Sequence, residues 1–258
     1  MNKIKGMLFI VILILLLSGC LKIEKRDAQL AFADHVSETE SKYIDFQSLL
    51  NNLQVNYVQS NFKVINQLFG QSQSATGSGF IFFEDEAFYY LLTNEHVVNN
   101  DDNLFQTIKL MDYQDEEFTA IMMFSLKEYD LAVLRMEKTA KPFPIVPLAN
   151  DDAKINDNVY VIGNPKHQVN TITIGRVLAF ALVTIKSEGY IPFEVIVSSA
   201  PVQHGSSGGM MIDESGQLVA VVYAGNVSGS VFSTQSFAIP ISKVREFLQV
   251  NNFSLGGQ

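Results

Sequence analysis

A series of short apolar runs, beginning near residue 80 and ending near residue 240, constrains the fold more than any other feature. The runs are rich in β-branched and aromatic residues, and Gly, Asn, Asp or Pro separates most of them. This spacing is typical of β-sandwiches and β-barrels, because the turn residues reverse the chain between short strands. The sequence therefore predicts an all-β fold with strands at Phe80–Phe83, Tyr89–Leu92, Ile108–Leu110, Ala120–Phe124, Leu131–Leu134, Val159–Ile162, Thr171–Ile174, Val177–Ile185, Phe193–Val197, Met210–Ile212, Leu218–Tyr223 and Phe237–Ile239.

Helices are predicted on both sides of this β-rich part. A capping box begins at Ser37, and apolar residues then recur three and four apart up to about Tyr57. We interpret this segment as a helix packed outside the domain, with a pro-region-like arm or an oligomerisation element as the alternatives. A second, short helix is predicted after Pro240. The expected organisation is a tether and helix over residues 20–61, a domain over 62–250 and a C-terminal tail over 251–258.

Residues 1–19 have the pattern of a secretion signal. Lys3 and Lys5 precede an unbroken apolar run over residues 7–17, which suits a signal peptide and is short for a spanning helix. The following Leu17-Ser18-Gly19-Cys20 resembles the bacterial lipobox, which implies a lipid anchor on Cys20 and a protein attached to a bacterial membrane outside the cytoplasm. An uncleaved membrane anchor is the alternative.

Composition excludes several classes of protein. The chain carries 18 Lys and Arg against 27 Asp and Glu, a formal charge of −9, which argues against a nucleic-acid partner because such binders need a basic surface. One cysteine excludes an internal disulfide framework, a cysteine-rich zinc site and an iron–sulfur cluster. The four histidines lack the spacing of metal ligands, so the sequence predicts no metal and no cofactor.

Three polar residues in apolar surroundings are candidates for chemistry. His96 follows a predicted strand, Asp130 precedes another, and Ser207 lies in a glycine-framed loop over residues 205–209. Serine-dependent acyl transfer needs a hydroxyl, an imidazole that takes its proton, and a carboxylate that orients the imidazole. Glycines near the serine allow backbone N–H groups to turn toward a developing oxyanion. The order and types of these residues therefore favour a serine hydrolase.

Six motifs follow one another along the chain: Gly77-Ser78-Gly79-Phe80-Ile81, Leu92-Thr93-Asn94-Glu95-His96-Val97-Val98, Asp130-Leu131-Ala132-Val133-Leu134, Ile162-Gly163-Asn164-Pro165, Gly205-Ser206-Ser207-Gly208-Gly209 and Phe237-Ala238-Ile239-Pro240. In this order they resemble the bacterial HtrA/Deg type of trypsin-like (chymotrypsin-fold) serine protease. The resemblance spans about residues 62–250 and implies two six-stranded antiparallel β-barrels. No PDZ domain is expected after the closing helix.

The resemblance also implies a role for each candidate residue. Ser207 would be the nucleophile, His96 the general acid and base, and Asp130 the residue that orients His96. The backbone N–H groups of Gly205 and Ser207 would form the oxyanion hole. The expected activity is that of a membrane-anchored extracytoplasmic serine endopeptidase acting on polypeptides through an acyl-enzyme. A catalytically idle binding or chaperone-like protein and an esterase or acyltransferase are the alternatives, and the oligomeric state stays open.

The chain departs from the family pattern beside the nucleophile. Residues 198–200 read Ser-Ser-Ala where the family usually has Thr-Asp-Ala, and His204 occupies a position where it often has proline. We interpret His204 as a loop residue. The predicted specificity pocket contains no acidic side chain and should accept small apolar residues; its members are Pro201, Val222, Tyr223, Ala224, Ser236 and Phe237. Activity should fall in acid as His96 protonates, near the ordinary imidazole pKa of about 6.5.

Overall fold

A computed structural model of the protein describes residues 48, 51, 53–70, 74–99, 105–165, 170–182, 193–225 and 235–255. The predicted signal segment, Cys20 and most of the predicted N-terminal helix lie outside these residues. Ser48 and Asn51 are helical, and Leu53–Tyr57 forms a π-helical turn. Within the described ranges, we find no helix with the length and apolar character needed to span a membrane.

The described chain from Leu53 onward forms two closed antiparallel barrels of six strands each. The first closes in the order β1-β2-β3-β6-β5-β4 and contains β1 (Asn61–Leu68), β2 (Ala75–Glu84), β3 (Phe88–Thr93), β4 (Gln106–Met111), β5 (Glu117–Leu126) and β6 (Leu131–Glu137). The second closes in the order β10-β11-β12-β9-β8-β7 and contains β7 (Asn158–Gly163), β8 (Thr171–Leu182), β9 (Glu194–Ser198), β10 (Met210–Ile212), β11 (Leu218–Gly225) and β12 (Ser236–Pro240). Helix α1 (Glu95–Val98) follows β3, and helix α2 (Ile241–Val250) follows β12. The predicted all-β fold with two six-stranded barrels and a short closing helix is confirmed.

Strand β1 is absent from the sequence prediction. Its apolar alternation stops at Asn66, an inward-facing polar residue that is 2% exposed. Two hydrogen bonds compensate for this burial: Asn66 Nδ2 donates to Asn99 O at 3.2 Å, and Gln106 Nε2 donates to Asn66 Oδ1 at 2.9 Å. A buried amide that pairs only in the tertiary structure therefore concealed this strand.

Strand β8 is one continuous element where the sequence predicts two. The two predicted strands, Thr171–Ile174 and Val177–Ile185, lie on either side of Gly175, and the predicted end at Ile185 lies outside the described residues. In the structure Gly175 pairs with Val159 inside the sheet, and a Cβ at Gly175 would collide with the backbone of Ala200. The glycine thus marks a close approach of two backbones and not a turn.

The core of the first barrel is built around a cluster of aromatic rings. Phe62 is fully buried, and its ring centroid lies 5.1 Å from that of Phe143 and 6.1 Å from that of Phe118, both in edge-to-face geometry. Tyr89 packs against Phe143 in the same way, with centroids 5.6 Å apart. These rings interdigitate, so removal of one leaves a cavity that its neighbours fill only in part.

The Phe62→Ala variant should lower the free energy of unfolding by about 3–5 kcal/mol, because it loses both buried apolar area and ring contacts. Denaturant titration of the purified protein measures this difference. Phe105→Ala is the matched control, since Phe105 is 88% exposed and its removal should change stability by less than about 0.5 kcal/mol. Equal losses of unfolding free energy in the two variants would show that the buried Phe62 ring contributes no more to stability than the exposed Phe105 ring.

The chain after the second barrel returns to cover the outside of the first. Helix α2 places Phe247 against Phe124 of β5, with ring centroids 5.4 Å apart. The ring of Phe253, which follows α2, lies 5.3–5.9 Å from the rings of four residues of the first barrel: Phe82, Phe83, Tyr90 and Phe124. This packing ties the two barrels together close to the turn that carries Asp130.

Candidate active site

His96 and Asp130 meet where β3 ends and β6 begins. Thr93 pairs with Ala132, so the short helix α1 after β3 lies beside the turn before β6. Nδ1 of His96 is 2.9 Å from each carboxylate oxygen of Asp130, and the backbone N–H of His96 donates to Oδ1 at 3.0 Å. A carboxylate at Nδ1 favours the tautomer that carries its proton there, which leaves Nε2 of neutral His96 as a proton acceptor.

Asp130 is held in an unusual backbone conformation. Its φ is +51°, in the left-handed region that Asp tolerates better than most residues. The turn is closed by the N–H of Asp130, which donates to Lys127 O at 3.1 Å, and by Asn94 Nδ2, which donates to Asp130 O at 2.9 Å. Only 5% of the Asp130 side chain is exposed, so its charge is directed toward His96.

Tyr129 connects the same turn to helix α2. Its hydroxyl donates to Glu246 Oε1 at 2.6 Å, and its ring packs 6.4 Å from that of Phe247. The hydrogen bond to Glu246, with partial burial and the nearby carboxylates, raises the pKa of Tyr129 to about 12. The phenol therefore stays protonated and continues to donate at any physiological pH.

The surroundings of His96 raise its pKa. Partial burial lowers the pKa, but the hydrogen bond to Asp130, the charge of Asp130 and the charge of Glu95 together outweigh this effect. About half of the His96 side chain, 49%, remains exposed, so a bound molecule can reach the ring. The net result is a histidine that protonates more readily than a free one.

In the loop over residues 203–209, two backbone N–H groups hold the loop in place and two others can serve as donors to a bound group. The N–H of Ser206 donates to Gln203 O at 2.9 Å, and the N–H of Gly208 donates to Val222 O at 2.7 Å. Gly205 has φ of +96°, a conformation that favours glycine. The N–H groups of Gly205 and Ser207 form no backbone hydrogen bond with another described residue. Two such donors in one loop can bind an oxyanion.

The two adjacent serines of this loop have different surroundings. Ser206 is 4% exposed, and its Oγ accepts a hydrogen bond from the Gln203 N–H at 3.3 Å. Ser207 is more exposed, and its hydroxyl donates to Tyr223 O at 3.2 Å. The described contacts include no hydrogen bond between Ser207 and His96. In this state the Ser207 hydroxyl must turn away from Tyr223 before it can reach Nε2.

Gly77 shows how closely the two barrels approach at this site. A Cβ on Gly77 would lie 2.6 Å from Val97 Cγ2 and 2.9 Å from Ser207 O, so the neighbour of His96 and the backbone of Ser207 contact the same glycine. A side chain at this position would separate the barrels. The structure therefore places His96, Asp130 and Ser207 around one junction between the barrels.

The predicted pocket residues divide into two groups. Five lie on the adjacent strands β11 and β12, where the rings of Tyr223 and Phe237 are 6.4 Å apart; these five are Val222, Tyr223, Ala224, Ser236 and Phe237. Pro201 instead lines a cavity of about 190 Å³ that includes Val161, Val202 and Ser206 and none of those five. Burial, with the charge of Asp130, raises the pKa of Tyr223 to about 12, so this phenol stays neutral.

Several residues that shape the site could not be selected from the sequence. Ser198 Oγ and Ser236 Oγ form a buried hydrogen bond of 2.7 Å, so the hydroxyl of Ser236 is engaged within the protein. Asn94 anchors the Asp130 turn, and Ser78 hydrogen-bonds to the 203–209 loop. Asn94 and Ser78 lie in two of the six motifs, but their partners are distant in sequence. His204 is exposed in its turn, and no described contact joins it to His96 or Ser207. Metal-ligating side chains form no group of three or more within the described ranges.

Comparison with known proteins agrees with this architecture. The sequence model of the trypsin-like peptidase domain family matches residues 77–221. A probable periplasmic serine endoprotease, DegP-like, of Hahella chejuensis is 36% identical over 172 residues, which cover 66% of this chain and 34% of the relative. The periplasmic serine endoprotease DegP of Escherichia coli is 30% identical over 203 residues, which cover 72% of this chain and 40% of DegP. The chain thus spans about a third to two fifths of the length of these curated relatives.

Solved structures give the same result. The active form of the Rv3671c protease of M. tuberculosis superposes with a TM-score of 0.64 at 23% identity, covering 80% of this chain and 87% of that one, which shows the shared fold. The HtrA-type protease AlgW with a tripeptide superposes with a TM-score of 0.63 at 26% identity, covering 81% of this chain and 64% of that one. Since the family match includes more than half of the chain, this protein belongs to the trypsin-like peptidase family and is a homologue of the HtrA/DegP-type proteases.

Proposed function

We propose that the chain is a serine endopeptidase that cleaves polypeptides through an acyl-enzyme, with Ser207, His96 and Asp130 as its catalytic residues. One observation carries the proposal: Asp130 makes a double contact with Nδ1 of His96, across a junction from Ser207. Ser207 lies in a loop with two backbone N–H groups that have no hydrogen-bond partner among the described residues. The printed names of the relatives, which are serine endoproteases, support the same reaction.

Each group has a defined step in the proposed reaction. Ser207 Oγ attacks the peptide carbonyl carbon while Nε2 of His96 takes the hydroxyl proton, and Asp130 stabilises the resulting imidazolium. The N–H groups of Gly205 and Ser207 bind the oxyanion of the tetrahedral intermediate. His96 then protonates the leaving amine as the C–N bond breaks. Water, deprotonated by His96, then attacks the acyl-enzyme carbonyl. The bond from this carbon to Ser207 Oγ breaks, His96 returns the proton to Oγ, and the carboxylic acid product leaves.

We propose further that this reaction takes place outside the cytoplasm, on a protein anchored through Cys20. The relatives are named as periplasmic, which supports the compartment, and Leu17-Ser18-Gly19-Cys20 supports the anchor. Two or more acyl chains attached at Cys20 would anchor the protein stably, since a single acyl chain binds a bilayer only marginally.

Activity-based labelling tests the function and the location together. A fluorophosphonate probe should label the membrane fraction of cells that make the full chain, and mass spectrometry should place the adduct on Ser207. Adducts on Ser206 would refute the assigned nucleophile. Labelled protein in the cytosolic fraction would refute the proposed location.

A catalytically idle binding protein is the second candidate, and the bond from Ser207 to Tyr223 favours it, because this hydroxyl points away from its base. An idle protein would remain unlabelled and still bind peptides. Labelling at Ser207 would exclude it.

The pH dependence of peptide hydrolysis should follow the raised pKa of His96. His96 acts as a base only when neutral, so kcat/KM should fall in acid with a midpoint above the ordinary value of 6.5 that the sequence alone predicted. The stability contributed by the His96–Asp130 pair has the opposite dependence. It is fully present below pH 6.5 and is lost as pH rises through the raised pKa, so unfolding of this pair cannot cause the acid loss.

Kinetics between pH 5 and 9, with circular dichroism at each pH, measure both quantities. An activity midpoint at or below 6.5 in a folded protein would contradict the electrostatic argument.

A further inference from the structure

The Gly77-Ser78-Gly79 segment of β2 lies directly against the loop that carries Ser207. The backbone N–H of Ser78 donates to Ser207 O at 2.7 Å, although the two residues belong to different barrels. A Cβ at Gly208, where φ is +82°, would collide with Ser78 O and approach Thr93 Oγ1 to 2.5 Å. The two segments therefore dock backbone to backbone, and the glycines in both are what permits this.

The side chain of Ser78 makes a second, separate connection. It is fully buried; its hydroxyl donates to Gly205 O at 2.7 Å and accepts from the backbone N–H of Asn164 at 2.7 Å. Donor and acceptor are both used, so the orientation of the hydroxyl is defined. One side chain of the first barrel thus joins the turn after β7 to the 203–209 loop.

The contacts of Ser78 bracket the peptide unit that carries the Ser207 N–H. The Ser78 hydroxyl holds the Gly205 carbonyl in the peptide unit before it, and the Ser78 N–H holds the Ser207 carbonyl in the peptide unit after it. The carbonyl of the intervening unit, Ser206 O, itself accepts from the Gly209 N–H at 2.9 Å. Because a peptide unit is planar and trans, this bond sets the direction of the Ser207 N–H, and the two Ser78 contacts hold the units on either side of it. A loop with glycine at 205, 208 and 209 would otherwise sample many conformations.

We propose that Ser78 is a positioning residue that orients the oxyanion hole by holding the Gly205 carbonyl from the opposite barrel. The inference rests on the proposed function, since it assigns Ser78 to the donors that would stabilise the tetrahedral intermediate. Ser78 itself touches no reacting atom. Its effect belongs to the transition state, because the substrate carbonyl gains its charge only there.

The Ser78→Ala variant separates this role from general stability. It keeps the backbone bond to Ser207 and loses only the hold on Gly205 and Asn164. We expect kcat for a peptide substrate to fall about 10–100-fold while KM changes less than about twofold, because a donor displaced by a fraction of an ångström binds the oxyanion poorly. A peptide boronate, which forms a tetrahedral adduct with Ser207, should bind more weakly by a similar factor. Ser78→Cys, which retains weak hydrogen bonding at nearly the same volume, should recover part of the loss.

Ser60→Ala is the matched control. Ser60 is also a fully buried serine, and its hydroxyl donates to Pro144 O at 2.8 Å, outside the candidate site. It should lower the unfolding midpoint as Ser78→Ala does and leave kcat unchanged. Equal kcat values in Ser60→Ala and Ser78→Ala would overturn the positioning role, as would a Ser78→Ala effect confined to KM. If Ser78→Ala does not fold, full activity in Ser78→Cys would also overturn it. A wild-type protein without activity would instead refute the proposed function, and this inference with it.

Discussion

The Ser207→Ala variant should hydrolyse peptides about 10⁴–10⁶-fold more slowly than the wild type, whereas Ser206→Ala should keep most of its activity. The Ser207 hydroxyl lies in the same loop as the N–H groups of Gly205 and Ser207, which have no partner among the described residues and can receive an oxyanion. The Ser206 hydroxyl is buried and accepts a bond from Gln203, so it can reach neither His96 nor a substrate without rearranging the loop. Two adjacent serines should therefore differ by orders of magnitude in their effect on catalysis.

Steady-state kinetics on a fluorogenic peptide, with circular dichroism to establish folding, measures both variants. Residual hydrolysis in Ser207→Ala should have the level expected from binding and the oxyanion donors alone, which is still well above the uncatalysed rate. The assignment of the nucleophile would be wrong if Ser206→Ala lost activity as severely as Ser207→Ala while both remained folded.

The Asp130→Asn variant should lower kcat/KM about 10⁴-fold with the fold intact. In the wild type, Nδ1 of His96 faces two carboxylate oxygens, which only accept hydrogen bonds. An amide offers an N–H donor instead, which favours the tautomer with the proton on Nε2 and removes the base that Ser207 needs. Loss of the negative charge should also lower the pKa of His96, since Asp130 is the principal cause of its rise.

Nitrogen NMR of the His96 ring gives the tautomer and the pKa in the same experiment. Glu128→Gln makes the same chemical change two residues away, where no described contact with His96 exists, and should leave kcat/KM within about twofold. An Asp130→Asn protein with the wild-type tautomer and near-normal activity would show that the carboxylate does not orient His96.

The sequence predicts the barrels well and the less regular parts of the strands poorly. Apolar runs between turn residues identify most strands, because burial on one side of a strand imposes a pattern that is visible locally. The same pattern is misleading at Asn66, where strand β1 is missed, and at Gly175, where strand β8 is predicted as two strands. Their local signals indicate polarity and a turn, whereas the structure pairs Asn66 with Gln106 and uses Gly175 for a backbone contact.

The candidate site also combines features that are visible in the local sequence with features that depend on the tertiary structure. His96, Asp130 and Ser207 could be selected from the sequence because their chemical types and flanking glycines are local features, and their catalytic roles stay predictions. Pro201 is predicted to line one pocket with Tyr223 and Phe237, and the structure places it at a cavity that neither of these two rings lines. A pocket depends on which strands are neighbours and which faces they present, and no short motif carries that information.

The fold class, most of the turn positions and the candidate residues for acyl transfer can be identified from the sequence, because each of these depends on neighbours a few positions away. Their mutual orientation comes from the tertiary structure. The bond between Ser78 and Gly205 spans 127 positions of the chain, and the contact between His96 and Asp130 spans 34. Hydrogen bonds need donor and acceptor within about 3 Å and in line, and such geometry between distant segments exists only once the two barrels have closed and packed together.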